Sequence, residues 1–121
     1  MSKVLIIDDS PSQLVGMKRA VEKLGHEVVT AEDGAAGVEA ARRELPDLIL
    51  MDVVMPNLNG FQATRTISKD PNTSHIPIVL VTTKDQDTDR VWGMRQGAKA
   101  YVTKPIDDDE LSRVIQEYLP H

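Results

Sequence analysis

Five residues in this 121-residue chain have the types and the placement to handle a phosphoryl group. Asp8 and Asp9 follow a short apolar run, Val4–Ile7. Asp52 follows a second run, Leu48–Met51. Thr82 follows a third, Ile76–Val81, with Thr83 beside it. Lys104 follows a weaker strand candidate, Ala100–Thr103. Three carboxylates gathered in one place repel one another, so a fold that gathers them must supply compensation. An all-oxygen donor set without sulfur suits a hard cation. Mg²⁺ fits best, because it keeps waters and takes phosphate oxygens as ligands. An ammonium and a hydroxyl complement a phosphoryl group. Together the set is a device for attack by a carboxylate on phosphorus, giving an acyl phosphate. Each residue alone has a plainer reading: an aspartate as a helix cap, Lys104 as a solvated lysine, Thr82 as the partner of a local backbone group. Their shared place at strand ends, in order, separates them from those readings.

The elements that position these residues alternate strand with helix. The apolar runs are rich in Val, Ile and Leu, as strands buried on both faces of a parallel sheet require. Val28–Ala31 is a further, weaker strand candidate. Between the strands, Leu14, Met17, Val21 and Leu24 recur at helical spacing after Pro11 and before Gly25. A second helix is expected from about Asp33 to Glu44, ahead of Pro46, with Glu32 or Asp33 as its cap. A third follows Gly60 and carries Phe61, Thr64 and Ile67. A fourth spans Asp87–Gln96 and is closed by Gly97. A fifth carries Leu111, Val114, Ile115 and Tyr118 behind the acidic start Asp107–Glu110, which favours the positive end of a helix dipole. Five strand–helix repeats predict an α/β fold with parallel strands and right-handed crossovers. Residues 1–121 are expected to form one unit. In such sheets ligands bind beyond the carboxyl ends of the strands, where the five residues fall.

Composition narrows the class. The net charge is −5 and there is no cysteine. The acidic balance argues against nucleic acid or an anionic membrane as a partner, and the missing thiols exclude disulfides and Cys-ligated zinc. The first apolar run is too short for a signal peptide, and no stretch is long enough to span a membrane. A cytoplasmic monomer is expected. On the fourth helix the spacing is expected to bury Val91 and Met94 or Arg95, near Ala98, and to turn Trp92 outward. There Trp92 would be a possible output face for a partner. His26, His75 and His121 are scattered and read as surface residues.

The stretches VLIIDDS (4–10), DLILMDVVMPNLNG (47–60), IPIVLVTT (76–83) and GAKAYVTKP (97–105) resemble those of bacterial two-component response-regulator receiver domains, over essentially the full chain. The resemblance implies a flavodoxin-like (βα)5 doubly wound sheet of strand order 2-1-3-4-5. It implies that Asp52 is the phosphoacceptor, that Asp9 binds Mg²⁺ directly and Asp8 through water, and that the Val54 main-chain carbonyl completes the metal site. It also implies that Thr82 and Lys104 engage the phosphoryl group, that Lys104–Pro105 is a cis peptide, and that Tyr101 turns inward when Thr82 moves. A CheA-like histidine kinase is then the phosphodonor, docking near the first helix, and a downstream protein is the partner. No output domain is expected after the fifth helix. VMPNLNGFQATR and VTTKDQDTDRVWGMRQGA narrow the resemblance to single-domain receivers of type IV pilus (twitching) chemosensory systems, acting as messenger or as phosphate sink. Thr83 departs from the family's usual Ala or Gly, and Val54 and Lys84 are variable positions that tend to set phosphoryl lifetime. The chain is then a receiver and not an enzyme, beyond slow self-dephosphorylation. An aspartate phosphatase would ordinarily need a second acid at position 54. A flavin carrier would need a hydroxyl- and glycine-rich first loop in place of Asp8–Ser12.

Overall fold

The first central strand, β1 (Lys3–Ile7), has its last four side chains wholly buried. After it come α1 (Pro11–Lys23), β2 (Glu27–Ala31), α2 (Gly34–Glu44), β3 (Leu48–Met51), α3 (Gly60–Lys69), β4 (Ile78–Thr82), α4 (Asp87–Gln96), β5 (Ala100–Thr103) and α5 (Asp108–Tyr118). This computed structural model describes residues 2–120, so His121 lies outside the described residues. Every strand pair is parallel, and the order is β2-β1-β3-β4-β5, the flavodoxin-like arrangement expected.

Alternation along the central strands divides the interior in two. Leu5, Ile7, Ile49, Met51, Ile78 and Leu80 face α2, α3 and α4, meeting Val38, Ala41, Ala63 and Ile67. Val4, Ile6, Leu48, Leu50, Val79 and Val81 face α1 and α5, meeting Leu14, Met17, Val21, Leu111 and Ile115. Helix starts follow side-chain chemistry. Pro11 opens α1. Asp33 accepts from the Ala36 N–H at 2.7 Å and Asp107 from the Glu110 N–H at 2.8 Å. Asn59 and Gln62 form a reciprocal capping box at the start of α3.

Three expectations need correction. β4 begins at Ile78 and not at Ile76, because Pro77 has no N–H to give a ladder. Leu24 is the C-cap of α1, past its last turn, and is exposed. On α4, Val91, Met94 and Arg95 are all exposed; Gly93 and Gln96 face inward. Trp92 does point outward, at 51% exposure. The cause is the glycine. A Cβ at Gly93 would lie 2.7 Å from Leu80, 3.1 Å from Tyr101 and 3.3 Å from Phe61, so only a bare backbone lets α4 approach this closely. His75 is exposed, and His26 is partly buried, its Nδ1 accepting from the Ser2 N–H at 3.3 Å.

Candidate functional site

Two neighbouring strands bring the carboxylates together. Ile7 of β1 pairs in register with Met51 of β3, so Asp8 and Asp52 emerge side by side one residue later. The Asp52 N–H donates to the Ile7 carbonyl at 2.8 Å, and the Asp8 N–H to the Ala31 carbonyl at 3.1 Å, which fixes both backbones. Asp8, Asp9 and Asp52 each offer a carboxylate oxygen within 4.8 Å of the others. Asp8 is 2% exposed and Asp52 8%, while Asp9 stands in solvent. The loop after Asp52 returns tightly: the Gly60 N–H donates to the Val53 carbonyl at 2.9 Å, and a Cβ at Gly60 would strike the Asp52 carbonyl.

Lys104 enters from the end of β5. Its N–H donates to the Thr82 carbonyl at 2.8 Å, and the Lys104–Pro105 peptide is cis. Its ammonium donates to Asp8 Oδ2 at 2.7 Å and lies 3.8 Å from Asp52 Oδ2. Lys104 therefore already supplies much of the compensation the acids require. The other Asp8 oxygen accepts from the Ser10 N–H at 2.9 Å, and Asp52 Oδ1 accepts from the Val53 N–H at 2.8 Å. The Asp52 carboxyl nonetheless binds its proton more tightly than an ordinary aspartate. Burial drives this, opposed by the Lys104 charge and reinforced by Asp8. An oxygen-only cluster with one exposed member, Asp9, is chemically suited to a hard, partly hydrated dication.

Thr82 is fully buried at the end of β4, its Oγ1 accepting from the Lys84 N–H at 3.3 Å. Thr83 is exposed and lines, with Lys104, Gln13, Gly16 and Met17, a groove of about 480 Å³ between α1 and α5. The Val54 side chain is 54% exposed and borders a second cavity of about 490 Å³, together with Phe61, Lys84, Asp89 and Trp92. Val54 and Lys84 thus share one mouth beside Asp52, with Trp92 as a further wall. Tyr101 sits half-buried against Leu80 and Phe61, and its hydroxyl donates to the Lys84 carbonyl at 2.7 Å. Burial, and after it Asp89, pushes the phenol up to about 12, against the pull of Arg90.

Arg90 has no counterpart among the residues singled out by pattern. Its guanidinium donates to the Tyr101 carbonyl at 3.3 Å and to Thr103 Oγ1 at 2.8 Å, and lies 5.3 Å from the Tyr101 ring centre. An arginine on an exposed helix face carries no signal in the sequence that it will reach the neighbouring strand.

Known proteins resemble this chain in sequence and in fold. The family model described as response regulator receiver domain matches residues 4–116. Protein PilH of Pseudomonas aeruginosa is 55% identical over 119 residues, covering 98% of each chain. Several further relatives are longer proteins, of which the chain spans between 13% and 52%. Among solved structures, the Vibrio cholerae chemotaxis protein CheY4 superposes with a TM-score of 0.93 at 30% identity, over 98% of this chain and 99% of that one. The receiver domain of the sensor histidine kinase PA1611 from P. aeruginosa, which has a magnesium ion coordinated in its active-site cleft, superposes with a TM-score of 0.90 at 32% identity, over 97% and 96%.

Proposed function

The chain belongs to the response regulator receiver domain family, and from that membership we propose that it is a switch set by phosphorylation of Asp52. The observation that carries the reading is the Asp52 carboxylate at a strand end, flanked by Asp8, Asp9 and the Lys104 ammonium. An Asp52 oxygen attacks the phosphorus of a phosphohistidine on a histidine kinase of the CheA type. The P–N bond breaks, the imidazole leaves, and an acyl phosphate forms on Asp52. Asp8, Asp9, Asp52 and the Val54 carbonyl are the groups that would hold Mg²⁺, which when bound neutralises charge on the phosphoryl oxygens. Lys104 and the Thr82 hydroxyl then hold those oxygens. Acquiring them draws on Thr82, whose neighbour Lys84 carries the carbonyl that Tyr101 engages. Residues 1–121 serve as one receiver unit, a cytoplasmic monomer that turns over no separate substrate and loses its own phosphoryl group slowly.

The likeness to PilH supports a role in the chemosensory control of type IV pili and twitching. Val91, Trp92 and Met94, exposed together on α4, favour a messenger that meets a downstream protein over a pure phosphate sink. A timed phosphotransfer from a phosphorylated CheA-type kinase tests the reading. Label passes to this chain in millimolar Mg²⁺ and stops in EDTA; transfer at the same rate in EDTA contradicts the metal site. A pull-down that gains a partner only after phosphorylation supports the messenger, and one that gains none supports the sink.

A further inference from the structure

Tyr101 is held from two sides. On its inner side α4 presents only the backbone of Gly93, with Leu80 and Phe61 behind. At its tip the hydroxyl donates to the Lys84 carbonyl at 2.7 Å. Over its ring lies the Arg90 guanidinium, 5.3 Å from the ring centre and within the range of a cation–π contact. That guanidinium is fixed at two further points of the same strand, the Tyr101 carbonyl at 3.3 Å and Thr103 Oγ1 at 2.8 Å. β5 is the last strand of the sheet, so this carbonyl takes a side chain of α4 where a sixth strand would otherwise pair. The planar fork of an arginine spans two acceptors while its face lies on a ring; a lysine's point charge cannot.

We propose that Arg90 is a positioning residue that clamps Tyr101 in its inward place by bridging the Tyr101 carbonyl and the Thr103 hydroxyl across the ring. The clamp ties α4 to the edge of β5 independently of Asp52. It therefore biases the switch toward its inward form before any phosphoryl group arrives, and a ligand that favours the same form then has less to shift. The functional consequence rests on the reading of Tyr101 as the reporter of the Asp52 site; the clamp itself rests on the contacts alone.

The test uses the full chain labelled with 3-fluorotyrosine, with Tyr118→Phe to leave one resonance. ¹⁹F spectra are compared for the parent, Arg90→Gln and Arg90→Lys, each before and after Mg²⁺ with beryllofluoride, a mimic of the phosphoryl group. Arg90 is exposed, so both variants are expected to fold, and melting curves verify it. The parent resonance is expected at a buried position. In Arg90→Gln it moves toward that of a solvent-exposed tyrosine, and Arg90→Lys moves with it, because an ammonium keeps the charge without the bridge. A resonance unmoved in Arg90→Gln overturns the clamp. A resonance that moves in Arg90→Gln and stays in Arg90→Lys also overturns it, since charge alone would then suffice. Beryllofluoride speaks to the other reading: it returns the Arg90→Gln resonance toward the buried position if Tyr101 reports on Asp52. A resonance displaced by Arg90→Gln and indifferent to beryllofluoride keeps the clamp and rejects the reporter.

Discussion

Replacing Lys104 with methionine keeps a long apolar stem in place and removes its charge. In the native site the ammonium is 2.7 Å from Asp8 and 3.8 Å from Asp52, and both carboxylates are nearly closed off from solvent. At an effective dielectric constant of about 20, Coulomb's law gives those attractions as about 6 and about 4 kcal/mol. The oxygens of Asp8 and Asp52 lie within 4.8 Å of each other. Their mutual repulsion at that dielectric is about 3 kcal/mol or more. Desolvation of the ammonium offsets a large share of the attraction, and removing one member of a buried pair costs about 3–5 kcal/mol net. Lys104→Met is therefore expected to lose about 3 kcal/mol at neutral pH in EDTA, which in a chain of this length lowers Tm by about 12 °C. The loss must shrink under two conditions. Acid shrinks it because Asp52, with its raised proton affinity, is among the first acids to neutralise. Millimolar Mg²⁺ shrinks it because a dication replaces the missing positive charge and binds only the folded chain. Urea unfolding followed by circular dichroism, at neutral pH and at about pH 5, with Mg²⁺ or EDTA, measures all four cases. A deficit of equal size in every case would refute the electrostatic reasoning and make Lys104 a packing residue.

Three further outcomes are expected. Asp52 binds its proton more tightly folded than unfolded, so the stability it lends as a neutral acid is lost as pH rises through its folded value. Asp52→Asn should accordingly be more stable than the parent at neutral pH in EDTA, with the gap closing as pH falls from the raised folded value down to the ordinary aspartate range; a gap independent of pH counts against a buried charge. Thr64 is fully buried in α3 and its hydroxyl has no hydrogen-bond partner among the described residues. Thr64→Val should raise stability by about 1–2 kcal/mol in urea unfolding, and a loss would mean the hydroxyl is satisfied after all. Gly93→Ala places a methyl 2.7 Å from Leu80 and 3.1 Å from Tyr101. It should cost about 1–3 kcal/mol and shift the fluorescence of Trp92 on the displaced helix, whereas a neutral substitution would show that α4 does not rest on its backbone.

Much of this was legible because the central strands are apolar without interruption. Leu48–Met51 and Ile76–Val81 admit little besides buried parallel strands, and burial at a strand end is what brings Asp8, Asp52 and Lys104 together. The helix starts were legible through Pro11 and Asp107. What pattern could not yield is the rotation of α4. Its apolar residues, Val91, Trp92 and Met94, form no inward stripe, and the inward contact is made by a glycine, the residue with no side chain to count. The same limit hid Arg90, whose partners are a carbonyl and a hydroxyl eleven and thirteen residues away. The Lys104 bridge to Asp8 was hidden for a related reason: a lysine and three acids suggest attraction, but only packing decides which acid receives the hydrogen bond.

Whether Asp52 carries the phosphoryl group is decided by chemical trapping. The chain is phosphorylated by a CheA-type kinase in Mg²⁺ and reduced at once with borohydride, which converts an aspartyl phosphate to homoserine, and the peptides are read by mass spectrometry. Homoserine is expected at position 52, and none in Asp52→Asn. Homoserine at Asp8 or Asp9 with position 52 intact, or equal label uptake by Asp52→Asn, would contradict that assignment.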